Sequence, residues 1–267
     1  MNKWFEKQSL HNSTTLSVHI GQFQNTWFPY EILASSPRQK QSTATFRRFL
    51  ASEELEDEAI TRSWDACFAD PIGSQSFFQF HAPLRLLIKA LAFNQVQAKE
   101  GQEPLELYIA QSSLTDLPPA LQEDVPTPEL VQRVGKGDVY NSSVWLGTEP
   151  TYTPLHRDPN PNIFCQLCSN KVIRLMAPRV GDMLFSQVQR RIQKQGNSRI
   201  RTDEMMQGEE REVLYDAVWG AGPLPTGTYE ADLGPGDALF IPNGWWHSVK
   251  SKGTNGHLNG SVNWWFR

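Results

Sequence analysis

Two short segments, Thr153–Asp158 and Gly244–His247, constrain this chain more than any other feature of its sequence. The first contains a His-x-Asp pair, His156 and Asp158, and the second ends at His247, about ninety residues later. In a strand, residues i and i+2 project from the same face, so His156 and Asp158 would point in one direction. If His247 joins them from a second strand, two strands far apart in sequence must meet, as they do in a barrel or a jelly roll.

The sequence after Pro104 is typical of many short strands separated by turns that contain glycine and proline. A tight turn is expected at Gly234–Asp237, and another at Cys168–Lys171 within a strand pair. This pattern predicts a mainly β protein with flanking helices, whose core over 105–267 is a double-stranded β-helix, the cupin jelly roll. Apolar patterns predict its strands at 105–110, 138–147, 229–233, 238–242 and 260–266, with the strand pair in 162–176.

Residues 1–100 have a different character and are expected to form a mostly helical support for the strands. The polar stretch 1–45 contains short apolar pieces, which predict one or two peripheral strands or an extended arm. The pattern is helical over 46–65, with a second helix start near Ser52. The clearest amphipathic helix is predicted at 83–98, with its proline at the first helical position.

Length and composition place the chain among globular proteins. Its 267 residues fit one domain, 1–267, interrupted by a polar insertion at about 179–225. A net charge of −4 gives no general attraction to nucleic acid or to anionic membranes, and the sequence contains neither a signal-peptide pattern nor a long apolar run. Three cysteines suit a reducing compartment, so an intracellular protein of the cytoplasm or nucleus is expected.

The His-x-Asp and His pattern is typical of the 2-His-1-carboxylate site, which binds non-haem Fe(II) and leaves positions open for other ligands. A His-x-Asp pair alone is more often a surface feature, but the strand and Gly-Asp turn before His247 favour a metal site. The other histidines lack partner spacing and are expected to be structural (His11, His19, His81 and His257). Cys165 and Cys168 diverge on a strand and lack a second pair for zinc, so we interpret them as packing residues.

From about Leu105 to Phe266 the chain resembles the JmjC-type, cupin-fold oxygenases that use Fe(II) and 2-oxoglutarate. The resemblance rests on offsets from His156: a threonine three residues before it, an asparagine six after it and a lysine fifteen after it. Leu107–Gln111 resembles the strand that precedes the barrel in this family, and Val262–Trp265 resembles its closing strand. The small hydroxylases of the family are the most similar in size, since its larger demethylases contain additional domains.

The resemblance implies His156, Asp158 and His247 as the iron ligands, with 2-oxoglutarate and O2 as co-substrates. Lys171 would then bind the far carboxylate of 2-oxoglutarate, although a lysine at this place could also simply cap a hairpin. The hydroxyl groups of Thr153 and Tyr108 are expected to complete the hydrogen bonding of that carboxylate.

Four more residues are implied around the co-substrate. Asn162 and Asn263 would steady its near end or an iron-bound water, although asparagine also serves turns and strand ends. Trp265 and Phe164 would wall the pocket. The sequence departs from the family at two positions: Arg157 stands where an aromatic residue is common, and Ser169 stands where glycine usually turns the chain. Arg157 is therefore expected to alter what approaches the metal.

The favoured function is hydroxylation of an amino-acid side chain in a protein or peptide substrate. Hydroxylation of a small molecule or a modified tRNA nucleoside, and a catalytically silent metal-binding cupin, are the alternatives. Demethylation of methyl-lysine is a further outcome of the same chemistry. The insertion has a basic run at 190–201 and an acidic run at 203–212, interpreted as a solvated face, with a lid or a contact for an acidic peptide or RNA as the alternative.

Overall fold

The strands form two main sheets in this computed structural model, which describes residues 3–8, 13–52, 57–69, 75–134, 136–194 and 206–267. Within these ranges the strands are β1 Phe5–Gln8, β2 Ser13–Leu16, β3 Trp27–Leu33, β4 Phe77–Pro83, β5 Leu107–Ser113, β6 Val139–Thr148, β7 Tyr152–Arg157, β8 Asn162–Cys168, β9 Lys171–Met176, β10 Thr228–Leu233, β11 Ala238–Ile241, β12 Trp246–Ser251 and β13 Leu258–Phe266. The helices are α1 Val18–Gly21, α2 Pro37–Ala51, α3 Glu58–Phe68, α4 Arg85–Lys99, α5 Pro119–Asp124, α6 Glu129–Arg133, α7 Pro178–Arg191 and α8 Gly208–Trp219.

The strands β6 to β13 divide between a large and a small antiparallel sheet. The order in the large sheet is β11-β8-β13-β6-β5-β3-β4, and the order in the small sheet is β10-β9-β12-β7. Successive strands from β6 to β9, and again from β10 to β13, lie alternately in the two sheets. This arrangement confirms the predicted double-stranded β-helix. An apolar cluster that includes Phe164, Ile173, Leu175, Ile241 and Val249 joins strands of both sheets.

The first hundred residues contain the expected helices and also two strands that enlarge the sheet. β3 and β4 pair with each other, and β3 pairs with β5, so this segment extends the large sheet rather than only supporting it. Helices α2, α3 and α4 contribute Phe46, Trp64 and Leu87 to the same apolar core. Pro83 ends β4, and the following helix begins at Arg85, so its predicted place as the first helical residue is wrong. The helix start expected near Ser52 runs into 53–56, which lie outside the described residues.

The turn at Cys168–Lys171 joins the two sheets. The strand pair expected there is wrong, because β8 and β9 pair with other strands and not with each other. β8 pairs with β11 and β13 in the large sheet, whereas β9 pairs with β10 and β12 in the small sheet. Ser169 has a φ of 57°, the left-handed conformation in which glycine is more common. Lys171 is therefore the first residue of a strand in the small sheet, directly after the chain passes from the large sheet to the small one.

The described part of the predicted polar insertion contains two helices that cover the small sheet. Apolar side chains of α7 and α8 form one cluster with residues of β7, β9 and β12, among them Leu155, Met176 and Trp246. Gly181 of α7 lies against the indole ring of Trp246, where any side chain would overlap the ring. Within the described part of the chain, no helix is long and apolar enough to span a membrane.

We expect Gly181→Ala to destabilise the protein, because the added methyl group would overlap Trp246. Overpacking of this kind costs about 1–3 kcal/mol in free energy of unfolding. Urea unfolding followed by tryptophan fluorescence measures the change. Gly222→Ala is the matched control, since no atom lies within 4 Å of the position that its methyl group would take. Equal stability of the two variants would contradict close packing between α7 and β12.

Candidate metal centre and co-substrate pocket

The pairing of β7 with β12 brings the three predicted metal ligands together. In this antiparallel pair, His156 of β7 lies directly opposite His247 of β12. Asp158 follows the last residue of β7 and lies two residues beyond His156. The alternation of side chains along β7 therefore places the carboxylate on the same side as both imidazole rings.

Each pair of ligand side chains is close enough to share one ion. Nε2 of His156 lies 3.8 Å from Oδ1 of Asp158, and Nε2 of His247 lies 3.6 Å from Oδ2. The two imidazole ring centres are 4.2 Å apart, and the ligand atoms of the three residues lie within 4.8 Å of one another. Two imidazoles and one carboxylate are suitable ligands for Fe(II), and three ligands leave coordination positions open.

Backbone carbonyl groups orient both imidazole rings. Nδ1 of His156 lies 2.8 Å from the carbonyl oxygen of Pro154, and Nδ1 of His247 lies 3.4 Å from that of Trp245. When Nδ1 carries the proton and donates it to a carbonyl oxygen, the lone pair remains on Nε2. The Nε2 atoms are the ones that face Asp158, so the rings are oriented as metal ligands require.

A chain of two asparagines supports Asp158. Asn162 donates a hydrogen bond of 2.9 Å from Nδ2 to Oδ2 of Asp158, and Asn263 donates one of 2.9 Å to Oδ1 of Asn162. Burial raises the pKa of Asp158, but His247, His156 and hydrogen bonds from Trp265 and Asn162 outweigh it and hold that pKa below its usual range. The carboxylate is therefore ionised, as a metal ligand must be.

The three ligands lie in a cavity of about 170 Å³ between the two sheets. The structure places all the residues implied for the co-substrate around this cavity: Thr153, Tyr108, Lys171, Asn162, Asn263, Trp265 and Phe164. They come from five strands (β5, β7, β8, β9 and β13), which shows how the fold gathers residues that are distant in sequence. Their individual roles remain predictions.

Lys171 provides a buried positive charge on the cavity wall. Its side chain is only 2% exposed, and Nζ donates hydrogen bonds to Oη of Tyr108 at 3.2 Å and to Oγ of Ser261 at 2.9 Å. Nζ also lies 5.6 Å from the ring centre of Tyr108 and 5.5 Å from that of Phe164. An ammonium group among hydroxyl and aromatic groups fits a carboxylate ligand, because a charge-assisted bond is strong where water is excluded.

Several residues of the cavity were missed in the sequence. Ser261 contacts Lys171, and its alternation with Asn263 and Trp265 along one face of β13 was a signal for it. Trp145, interpreted as a core residue, lines the cavity with its ring centre 5.9 Å from that of Tyr108. The other missed residues also line the cavity (Gln111, Tyr140, Asn141, Pro159 and Val249).

Arg157 points away from the metal ligands, so the expectation that it alters the approach to the metal is wrong. Its guanidinium group donates a hydrogen bond of 3.2 Å to Asp182 of α7 and lies 5.3 Å from the ring centre of Trp246. As the residue between His156 and Asp158 on the strand, it must project from the opposite face. Arg157 therefore joins β7 to the helical cover of the small sheet.

His19, His81, His257 and the three cysteines do not line the cavity. His19 contacts Asp124, while His81 and His257 lie in or beside strands without metal-binding neighbours among the described residues. His11 lies outside the described residues. Burial raises the pKa of both Cys165 and Cys168 to about 11, which agrees with the packing interpretation.

Comparison with known proteins identifies the family. The family profile described as "Cupin-like domain" matches residues 31–267, which is most of the chain. The chain belongs to this cupin-like family. The predicted resemblance to JmjC-type proteins is confirmed, since relatives carry that name. Jumonji C domain-containing protein 5 of Drosophila melanogaster is 31% identical over 162 residues, which are 60% of this chain and 37% of the relative.

Two other relatives show how far the similarity extends. Lysine-specific demethylase 8 of Danio rerio is 28% identical over 162 residues, 60% of this chain and 36% of the relative. Lysine-specific demethylase JMJ30 of Arabidopsis thaliana is 30% identical over 149 residues, 55% of this chain and 32% of the relative. The aligned part of this cupin-like protein thus spans about a third of the length of these relatives.

We expect Asn162→Ala to weaken metal binding, because Asp158 would lose the hydrogen bond that orients it. Loss of such a supporting contact lowers metal affinity by about 10- to 100-fold. Isothermal titration with Mn(II) under anaerobic conditions measures the effect. Asn141→Ala is the control. Asn141 lines the same cavity, but its side chain accepts a hydrogen bond from the backbone N–H of Ser142 and does not contact Asp158 through any hydrogen bond of the described residues. Equal affinities would show that the asparagine chain does not support the ligand.

Proposed function

We propose that this cupin-like protein is an oxygenase, dependent on Fe(II) and 2-oxoglutarate, that hydroxylates an amino-acid side chain in a protein substrate. The observation that carries the proposal is the combination, in one cavity, of the triad His156, Asp158 and His247 with the buried ammonium group of Lys171. A metal-binding cupin without co-substrate chemistry has no need for a buried cation on the same wall. Membership of the JmjC type supports the same conclusion.

The residues of the cavity fit both the metal and the co-substrate. Bound iron, together with 2-oxoglutarate and O2, supplies the oxidising power to hydroxylate a C–H bond while 2-oxoglutarate becomes succinate and carbon dioxide. Lys171 binds the far carboxylate, with hydroxyl groups of Tyr108 and Thr153 beside it. Asn162 and Asn263 keep the carboxylate of Asp158 in place, as their hydrogen bonds indicate.

Apolar side chains shield the inner wall of the cavity, around Lys171, from solvent. Phe164 and Trp265 are 5% and 8% exposed and line the cavity on the side of the large sheet. Exclusion of water strengthens the attraction between Lys171 and a carboxylate, because the effective dielectric constant is lower there than in solvent. The same exclusion directs the oxidation to the substrate instead of to side reactions.

A protein substrate is favoured over a small molecule by two observations. The cavity is lined in part by exposed residues: Tyr140 is 56% exposed, and Gln111 and Asn141 are exposed as well. Two relatives are named lysine-specific demethylases, a name that denotes action on an amino-acid residue. Those names also support a second candidate, demethylation of methyl-lysine, in which hydroxylation of the methyl carbon releases formaldehyde.

The charged insertion does not decide between protein and RNA substrates. Arg190 and Arg191 lie at the end of α7, and Glu210 is buried and accepts a hydrogen bond from Gln189. The end of the basic run and the start of the acidic run fall in 195–205, outside the described residues. The three cysteines are free thiols, and the intracellular location remains a prediction that they support.

The wild-type protein is expected to convert 2-oxoglutarate to succinate only when Fe(II) and O2 are both present. His156→Ala should abolish this turnover, because one of the three metal ligands is lost. Mass spectrometry detects succinate, and a search of peptide and metabolite pools for products heavier by one oxygen atom identifies the substrate. Formaldehyde release would assign demethylation. Absence of succinate under all substrates tried, with folded wild-type protein, would favour the catalytically silent alternative.

Lys171→Met should weaken 2-oxoglutarate binding and leave Mn(II) binding unchanged, because Lys171 lies on the cavity wall but is not a ligand. Hydrogen bonds to charged groups contribute about 1.5–3 kcal/mol, so the loss should be about 10- to 150-fold in affinity. Anaerobic titration of the Mn(II)-loaded protein with 2-oxoglutarate measures it. Lys250→Met is the control, since Lys250 lies over Trp219 of α8. Unchanged affinity in Lys171→Met would remove Lys171 from the co-substrate site.

A further inference from the structure

A cluster of three buried polar side chains lies behind Lys171 and outside the cavity lining: Glu149, Gln166 and Asn259. Their exposed fractions are 4%, 0% and 0%. No local sequence pattern marks any of the three. Buried polar groups are costly unless they are hydrogen-bonded, so a cluster of this kind needs a structural or functional reason.

The three side chains form one connected hydrogen-bond network, the Glu149 cluster. Asn259 donates a hydrogen bond of 2.8 Å from Nδ2 to Oε1 of Glu149. Gln166 donates one of 3.1 Å from Nε2 to Oδ1 of Asn259. The side-chain amide of Asn259 therefore bonds to Gln166 through its oxygen and to Glu149 through its nitrogen.

The Glu149 cluster binds the carbonyl groups of the turn that leads to Lys171. Nε2 of Gln166 donates hydrogen bonds to the carbonyl oxygens of Cys168 at 2.7 Å and of Ser169 at 3.2 Å. Nδ2 of Asn259 donates one of 3.2 Å to the carbonyl oxygen of Asn170. Three successive carbonyl groups before Lys171 therefore accept from two side chains of the cluster.

This turn requires external support, because its backbone is strained. Ser169 has a φ of 57°, a left-handed conformation that is unfavourable for a residue other than glycine. Such a conformation persists only where the surroundings hold it. The hydrogen bonds from Gln166 and Asn259 can hold this conformation, because they bind the carbonyl groups of Ser169 and of the residues on either side of it.

Glu149 anchors the cluster from a confined position. Gly253 covers its carboxylate so closely that any side chain at Gly253 would overlap it. Burial raises the pKa of Glu149 above its usual range, although Asn259 and the nearby positive charge of Lys171 oppose this effect. The carboxylate of Glu149 is therefore confined at the place where it accepts the hydrogen bond from Asn259.

We propose that Glu149, Gln166 and Asn259 are positioning residues, which hold the turn at 168–170 so that the ammonium group of Lys171 reaches the far carboxylate of a 2-oxo dicarboxylic acid. This inference rests on the proposed function. The Glu149 cluster would affect only the binding of the far carboxylate of the co-substrate. The metal ligands, held by the separate pairing of β7 with β12, are not part of it.

The experiment compares two ligands in the wild-type protein and in Asn259→Ala. Both proteins are loaded with Mn(II) and titrated anaerobically with 2-oxoglutarate, and then with 2-oxobutyrate, which has the same 2-oxo acid group but no far carboxylate. In Asn259→Ala we expect the affinity for 2-oxoglutarate to fall by about tenfold or more, the loss of a charge-assisted hydrogen bond. The affinities for 2-oxobutyrate and for Mn(II) should stay close to those of the wild type.

Two further variants separate positioning from general stability. Glu149→Gln should retain the preference for 2-oxoglutarate, because a carboxamide oxygen still accepts the hydrogen bond from Asn259. Gln189→Ala removes a buried amide that donates to Glu210 far from the cavity, so it should lower the free energy of unfolding without changing the ligand preference. If Asn259→Ala does not fold, Gln166→Ala takes its place, since it removes the other donor to the turn.

Each outcome decides one question. If a folded Asn259→Ala or Gln166→Ala protein retains the wild-type preference for 2-oxoglutarate over 2-oxobutyrate, the positioning role is wrong. If both ligands lose affinity equally, the cluster acts on the whole site, and the inference is wrong as well. If the wild-type protein itself shows no preference, or binds neither ligand, the proposed function fails before the inference is reached.

Discussion

The candidate site depends on the antiparallel register between β7 and β12. His156 and His247 lie opposite each other in this register, and Asp158 joins them because it lies two residues farther along the same face. A slip by one residue would turn every side chain of one strand to the other face and separate the ligands. The packing of Trp246 against α7 opposes such a slip, because this neighbour of His247 is fully buried on the other side.

The same alternation explains how a polar cavity exists inside a β sandwich. Asp158 and Lys171 carry charges in an interior where an unpaired charge is very costly. Each is accompanied by partners that the fold supplies: two imidazoles and a carboxamide for Asp158, and the hydroxyl groups of Tyr108 and Ser261 for Lys171. The cavity therefore has a carboxylate between two imidazoles at one end and an ammonium group at the other, which is the arrangement that the proposed function uses.

The two ends of the cavity are supported independently. Hydrogen bonds from asparagines support the metal ligands, whereas the Glu149 cluster supports the turn before Lys171. Because the two supports share no side chain, substitutions in one should affect metal binding and substitutions in the other should affect co-substrate binding. Membership of the cupin-like family explains the architecture.

The sequence by itself determined the jelly roll and pointed to the residues that line the cavity, because strand periodicity and the spacing around His156 are local properties of the chain. It could not show that Arg157 packs on α7, since that helix lies in an insertion with no strong pattern. Nor could it show that the turn before Lys171 crosses between sheets, because strand pairing depends on contacts between distant residues. Only the tertiary structure decided that Asn259 and Glu149 meet behind Lys171, since 110 residues of chain separate them and no local pattern links them.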